Sequence, residues 1–345
     1  MQRRHLLVHL GLTGTASWAV AQPVSGDARI KKPEQRTSVA AQKLPQQLVF
    51  GLITPRNPEL TLKNWNPFID RMEKALGIPI ERLTFAAQAD LVKEFVDGRV
   101  DLAWLGNAPA LDIVEANKGS VFAAMVVQGK TAYRSVLITH RDSPLRSLND
   151  VHQMAPQLVF GDGDPKSTSG HIVPKYFAFV KKGVNDPSKL FKDIKRGSHE
   201  SNQQAVLRRE VDVATNNTSE LDNFRTAKPD QASQIRVIWE SPDIPESPMV
   251  WSHEIPSALK TKIAAFTYKF GTVDDEEKGV LWNINKLTAF RRSSNRQLVT
   301  IADVEMFNER QRVINDSKLD AMERLQRVDD ITKRGSKLDL MLRRG

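Results

Sequence analysis

From residue 48 onward, short apolar runs alternate with segments whose apolar residues recur at helical spacing, and this alternation limits the fold more than any other feature of the chain. Leu48-Val49-Phe50-Gly51-Leu52-Ile53 reads as a strand buried on both faces. Residues 62–76 follow at near-helical spacing and stop at Gly77, the usual place for a glycine just past a helix. The order repeats, with strands expected at 78–85, 100–104 and 121–127 and helices at 89–96 and 108–117. Strands and helices in turn imply an α/β fold with mostly parallel sheets flanked by helices. A strand at 135–139 opens a second set, with strands at 158–161, 211–215 and 235–239. The pattern predicts two lobes, residues 48–139 plus 246–310 and residues 140–245, each of ordinary domain size. Beyond Met249-Val250-Trp251 the chain reads as mainly helical, with helices at 256–270, 274–287 and 297–308 packing back on the first lobe. A charged helical tail closes it at 311–345, where Leu319, Met322, Leu325 and Val328 drift around the helix without making one stripe.

The 345 residues are 40% hydrophobic, enough to bury two cores. The formal charge of +9 is dispersed among acidic residues instead of forming a block, which argues against nucleic-acid binding. With no cysteine and seven scattered histidines, disulfides, thiolate sites and paired histidine ligands are all missing, so no metal or cofactor is implied. At the N-terminus Arg3-Arg4 precede an apolar stretch over residues 6–20 and Ala19-Val20-Ala21, which reads as a signal peptide cut after Ala21. Gly11, Thr13, Gly14, Thr15 and Ser17 make that stretch too short and too polar for a membrane anchor. Its arginine pair leaves the general secretory and twin-arginine routes both open. Residues 22–47, polar and carrying Pro23, Pro33 and Pro45, read as a flexible leader.

The densest chemical signal is Phe160-Gly161-Asp162-Gly163-Asp164-Pro165-Lys166-Ser167-Thr168-Ser169-Gly170, between a predicted strand and a predicted helix. A helix start offers unpaired backbone N–H groups and partial positive charge, and Ser167, Thr168 and Ser169 add hydroxyl donors, so the segment suits an oxyanion. Read alone, the same run is also an ordinary polar cap. It is not a phosphate-binding P-loop, because no glycine precedes Lys166 in register. Pro174 must sit near the first turn or kink the helix.

Asp164 to Gly170, then Ser198-His199-Glu200, then Val211-Asp212-Val213-Ala214-Thr215-Asn216-Asn217-Thr218, together with residues 100–107 and 239–251, resemble the phosphonate-binding proteins of ABC importers, in family order over residues 48–307. The resemblance implies a type II periplasmic binding fold: two α/β lobes joined by two crossovers, closing on a phosphonate-like oxyanion that is delivered to an ABC permease in the cytoplasmic membrane. It assigns the phosphonyl oxygens to Ser167, Thr168, Ser169 and His199. It also implies departures on the substituent side, where Gln88 and Leu105 replace family tyrosines and Ser219 and Ser247 replace carboxylates of amine-binding members. Glu220 and Glu246, each one residue away, are the residues able to restore a charge. With neutral hydroxyls and a less aromatic wall, the expected preference is for a small or uncharged substituent.

A hydrolase reading would use Ser167 as nucleophile, His199 as base and Asp212 or Asp162 to orient it, but no nucleophile-elbow motif accompanies them. The runner-up is a sensor of the same fold that shows its closed form to a receptor. The resemblance is to periplasmic proteins, and the helical tail is where a homodimer is expected.

Overall fold

The computed structural model describes residues 44–54, 57–184 and 186–344. The expected signal peptide, residues 1–21, and most of the leader lie outside the described residues.

β1 (Leu48–Ile53) begins where the apolar run predicts. α1 (Pro58–Leu76) starts ahead of the predicted residue 62 because its start signals are not apolar: Asn57 accepts hydrogen bonds from the Glu59 and Leu60 N–H groups, and Pro58 occupies the first turn. The helix buries Trp65, Phe68, Ile69, Met72 and Leu76 on one face. β2 (Ile80–Phe85), α2 (Gln88–Val96), β3 (Leu102–Trp104), α3 (Asn107–Glu115) and β4 (Gly119–Val127) continue the expected alternation. The chain then crosses through β5 (Ala132–Tyr133) into β6 (Ser135–His140), α4 (Leu148–Met154), β7 (Val159–Asp162), β8 (Asp193–Arg196), α5 (His199–Leu207), β9 (Val213–Asn217), α6 (Thr218–Ala227), α7 (Pro229–Ala232) and β10 (Ile235–Glu240). It returns through β11 (Ile244–Pro245) to β12 (Pro248–Ser252), α8 (Ser257–Lys269), α9 (Asp275–Asn283), β13 (Leu287–Arg292), α10 (Val299–Ile314) and α11 (Ala321–Arg344).

One sheet has the order β13-β4-β12-β3-β1-β2 and the other β10-β6-β9-β7-β8, while β5 and β11 pair as a short ribbon where the chain crosses between them. The expected mostly parallel sheets are mixed in their pairing. β1 lies parallel to β2 and β3, but β12 runs antiparallel to β3 and β4, and β6 antiparallel to β9 and β10. The reason is the crossing: β6 and β12 enter their sheets from it, so they run against the strands that lead toward it. β6 pairs with β9 and β10, which moves the expected lobe boundary from residue 139 to just before Ser135. β8 and β13 are among the strands that were not anticipated. β8 is a charged edge, Asp-Ile-Lys-Arg, without an apolar run. The helix expected to reach residue 287 stops at Asn283, because Asn285 and Lys286 turn at positive φ of 52° and 57°, and β13 follows.

The larger core is aromatic at its centre. Phe68 meets Phe270 edge-on at 5.0 Å and packs at 5.5 Å from Phe266 and 5.3 Å from Phe290, so α8 and β13 both fold back on α1. α11 lies on α10 and α3, burying Ile331, Leu338 and Leu342, and Arg334 bridges Glu115 and Glu309. Its first turns leave Met322 and Leu325 exposed. Phe68→Ala removes a ring shared by three elements and is expected to cost about 3–5 kcal/mol, read as a lower denaturation midpoint in guanidinium.

Candidate functional site

Between the two sheets lies a cleft of about 460 Å³. Strand ends and helix starts build it. The caps or first residues of five helical segments line its wall: Gln88 of α2, Gly106 ahead of α3, Ser167 ahead of the helix at Thr168–Ile172, Ser198 and His199 of α5, and Asn217 ahead of α6. Each brings N–H groups without intrahelical partners and the positive end of a helix dipole. The helix after Ser167 is built from π-type turns at Thr168–Ile172 and Lys175–Phe179, which accommodate Pro174 where a regular α-helix would lose a hydrogen bond. Gly163 and Gly170 cross here in contact: the Gly163 N–H donates to the Gly170 carbonyl at 3.0 Å, and a Cβ on Gly163 would lie 2.7 Å from Gly170 backbone atoms.

The four expected phosphonyl residues all line the cleft. Ser167 Oγ accepts from the Gly170 N–H at 3.0 Å, and Thr168 Oγ1 from the Ala108 N–H at 3.0 Å. Ser169 Oγ lies 3.1 Å from His199 Nε2 and accepts from Asn217 Nδ2 at 3.5 Å. The cap role and the cleft position of Ser167 are therefore both realised. Lys166 turns away from the cleft and pairs with Asp112 of α3 at 2.8 Å, tying the loop to the first lobe.

Gln88, Leu105, Ser219 and Ser247 also line the cleft, and so do both nearby glutamates. The end expected to present neutral hydroxyls therefore also holds two carboxyl groups. Glu246 is buried at 5% exposure, accepts from Ser219 Oγ at 3.2 Å, and burial pushes its carboxyl up to about 7. Trp104 and Tyr133 also line the wall, so aromatic surface is present beside Gln88 and Leu105. Tyr133 was missed by the sequence reading. It sits on the crossing strand β5, where its hydroxyl bonds Ser169 while burial and Glu246 push the phenol up. Its only signal was position: one of three tyrosines, just before the strand that enters the second lobe. Asn217 and Arg196 were missed as well.

The groups of the hydrolase reading do not form a triad. Ser167 caps Gly170, Asp162 pairs with His171 at 2.9 Å, and Asp212 accepts from the Val159 N–H at 2.7 Å. Among the described residues no group of three potential metal ligands comes together, and no helix is long and apolar enough to cross a membrane.

A family model described as ABC transporter, phosphonate, periplasmic substrate-binding protein matches residues 50–298. The chain belongs to this family. It is 37% identical over 300 residues to the phosphonates-binding periplasmic protein of Escherichia coli strain K12, covering 87% of this chain and 88% of that one. A binding protein component of an ABC phosphonate transporter from Pseudomonas aeruginosa superimposes with a TM-score of 0.78 at 34% identity, over 86% of this chain and 98% of that one. PhnD1 from Prochlorococcus marinus, solved with methylphosphonate, gives 0.67 at 18% identity, over 75% of this chain and 97% of that one, a likeness of fold. A phosphonate-family binding protein is a transport component of the periplasm and not an enzyme, and its fold is the type II periplasmic binding fold. The sensor alternative finds no support in these relatives.

Glu246 makes stability depend on pH with a definite sign. Below its ordinary value of 4.5 the carboxyl is protonated in folded and unfolded chains alike. As pH rises the unfolded chain ionises first, so stability falls up to about pH 7. Glu246→Gln keeps an acceptor for Ser219 and is expected to be more stable than wild type by up to about 3 kcal/mol at pH 8, with the gap closing near pH 4.5; urea titrations at both values read it.

Proposed function

We propose that the cleft captures a phosphonate-like oxyanion (phosphonate, phosphite or phosphate ester) on Ser167, Thr168, Ser169 and His199, with its substituent toward Gln88, Leu105, Ser219 and Ser247, for delivery to the ABC permease. One observation carries this reading. The hydroxyl oxygens of Ser167 and Thr168 each accept an N–H, from Gly170 and Ala108, which leaves their own hydrogens to donate, while Ser169 Oγ sits among Asn217 Nδ2, His199 Nε2 and the Tyr133 hydroxyl. Hydroxyl donors beside helix starts suit an acceptor-only tetrahedral anion and disfavour a cation. At the other end, the Glu246 carboxyl fits a substituent that carries an ammonium, so an aminoalkyl phosphonate is the ligand class this cleft favours.

Each hydrogen bond to a charged ligand is worth about 1.5–3 kcal/mol, so Ser169→Ala and His199→Ala should each weaken binding by roughly 10- to 150-fold. Calorimetric titration with methylphosphonate and 2-aminoethylphosphonate measures this, with tighter binding of the amine expected for wild type. Unchanged affinity in both variants would remove the phosphonyl assignment, and equal binding of the two ligands would remove the amine assignment.

We further propose that the exported protein starts at Gln22 and pairs with a second copy through α11. The support is the signal-like N-terminus and the exposure of Met322 at 73% and Leu325 at 64% on the turns of α11 that precede its buried residues. Native mass spectrometry of protein from its source cells is expected to give twice the mass of residues 22–345. An intact Met1 end would refute the cut, and a single-chain mass at micromolar concentration the dimer.

A further inference from the structure

Arg196 is the one lysine or arginine among the described residues that lines the cleft. It ends β8 and shares a wall with His199, three residues further on. Its guanidinium is poorly engaged: Nε lies 3.6 Å from Asp162 Oδ2, beyond hydrogen-bond distance, and the side chain is 59% exposed. Asp162 has other partners, since its carboxylate accepts from the Gly163 N–H at 2.9 Å and meets His171 Nδ1 at 2.9 Å. Lys175 and Asp186 line the same small second cavity as Arg196 and Asp162, where Lys175 already interacts electrostatically with both carboxylates.

Resting on the phosphonate reading above, we propose that Arg196 selects the doubly charged form of the ligand, its guanidinium leaving Asp162 to meet the oxyanion in the cleft. Hydroxyls, imidazole and helix starts stabilise a tetrahedral anion without distinguishing strongly between one charge and two. A mobile guanidinium adds a full positive charge and a planar fork of donors, which favours the dianion. Because Arg196 is exposed on an edge strand, its replacement leaves the cores untouched.

The test compares methylphosphonate with methanesulfonate, a monoanion of the same shape, at pH 9, where the phosphonate is a dianion. Arg196→Gln is expected to weaken methylphosphonate about tenfold or more while changing methanesulfonate less than about threefold, and Arg196→Lys should recover most of the phosphonate affinity. Unchanged methylphosphonate binding, equal weakening of both anions, or no recovery with lysine would overturn the assignment. Wild type that binds methylphosphonate while the variants match it refutes Arg196 alone; wild type that binds neither anion refutes the cleft reading and Arg196 with it.

Discussion

The site depends on the direction in which strands meet the crossing between the lobes. β1, β3, β7, β8 and β9 all run toward the cleft, and after each the chain turns into a loop or helix start at its edge. Partial positive charge therefore collects there from the backbone alone. β6 and β12 run the other way and begin at the cleft, so they and the crossings deliver side chains instead: Tyr133 just before β6, and Glu246 and Ser247 just before β12. Strand polarity thus separates a wall of helix starts from one that carries Tyr133 and Glu246. A single reversed strand on the first wall would bring helix carbonyls where the site needs N–H groups.

The anion wall consists mostly of neutral donors, and the loop shows how this is arranged. Lys166 is the cation nearest the three hydroxyls in sequence, yet it faces Asp112 at 2.8 Å on the far side of the loop. Desolvation alone would lower its pKa, and the Asp112 carboxylate more than restores it, so the residue remains an anchor with its charge matched locally. On the proposed reading, binding rests on oriented hydrogen bonds, whose strength depends on geometry, more than on the Lys166 charge.

Much of this was legible in the sequence. The apolar alternation located β1 to β4 and the helices between them, because buried strands and amphipathic helices leave periodic traces. The place of Ser167, Thr168 and Ser169 on the cleft wall was legible because hydroxyls, glycines and a helix start lie next to one another in the chain. The substituent side was legible only in part: Gln88, Leu105, Ser219 and Ser247 line the cleft, but Trp104, Tyr133 and Glu246 come from three separate segments, and a shift of one residue decides whether a neutral Ser247 or a carboxyl-bearing Glu246 is read there. β8 left no apolar trace because one edge of it faces solvent, and Arg196 at its end shared that silence.

The oxyanion loop is held by both lobes, and this fixes what a closing motion alters. Thr168 Oγ1 meets the Ala108 N–H, Lys166 meets Asp112, and Ile172 and Val173 belong to the larger core, while the Ser169 carbonyl accepts from Ser135 Oγ at the crossing. His199 has a different allegiance. It starts α5, which packs on β9 in the smaller sheet, and its carbonyl accepts from Asn216 Nδ2 at 3.0 Å. Any rotation of the smaller sheet about the β5–β11 ribbon therefore carries His199 and Arg196 relative to Ser167 and Thr168. A tetrahedral anion that bonds both sets gains its full complement of donors in one arrangement only, and that differential binding is what lets a small ligand favour the closed form of a two-lobed protein.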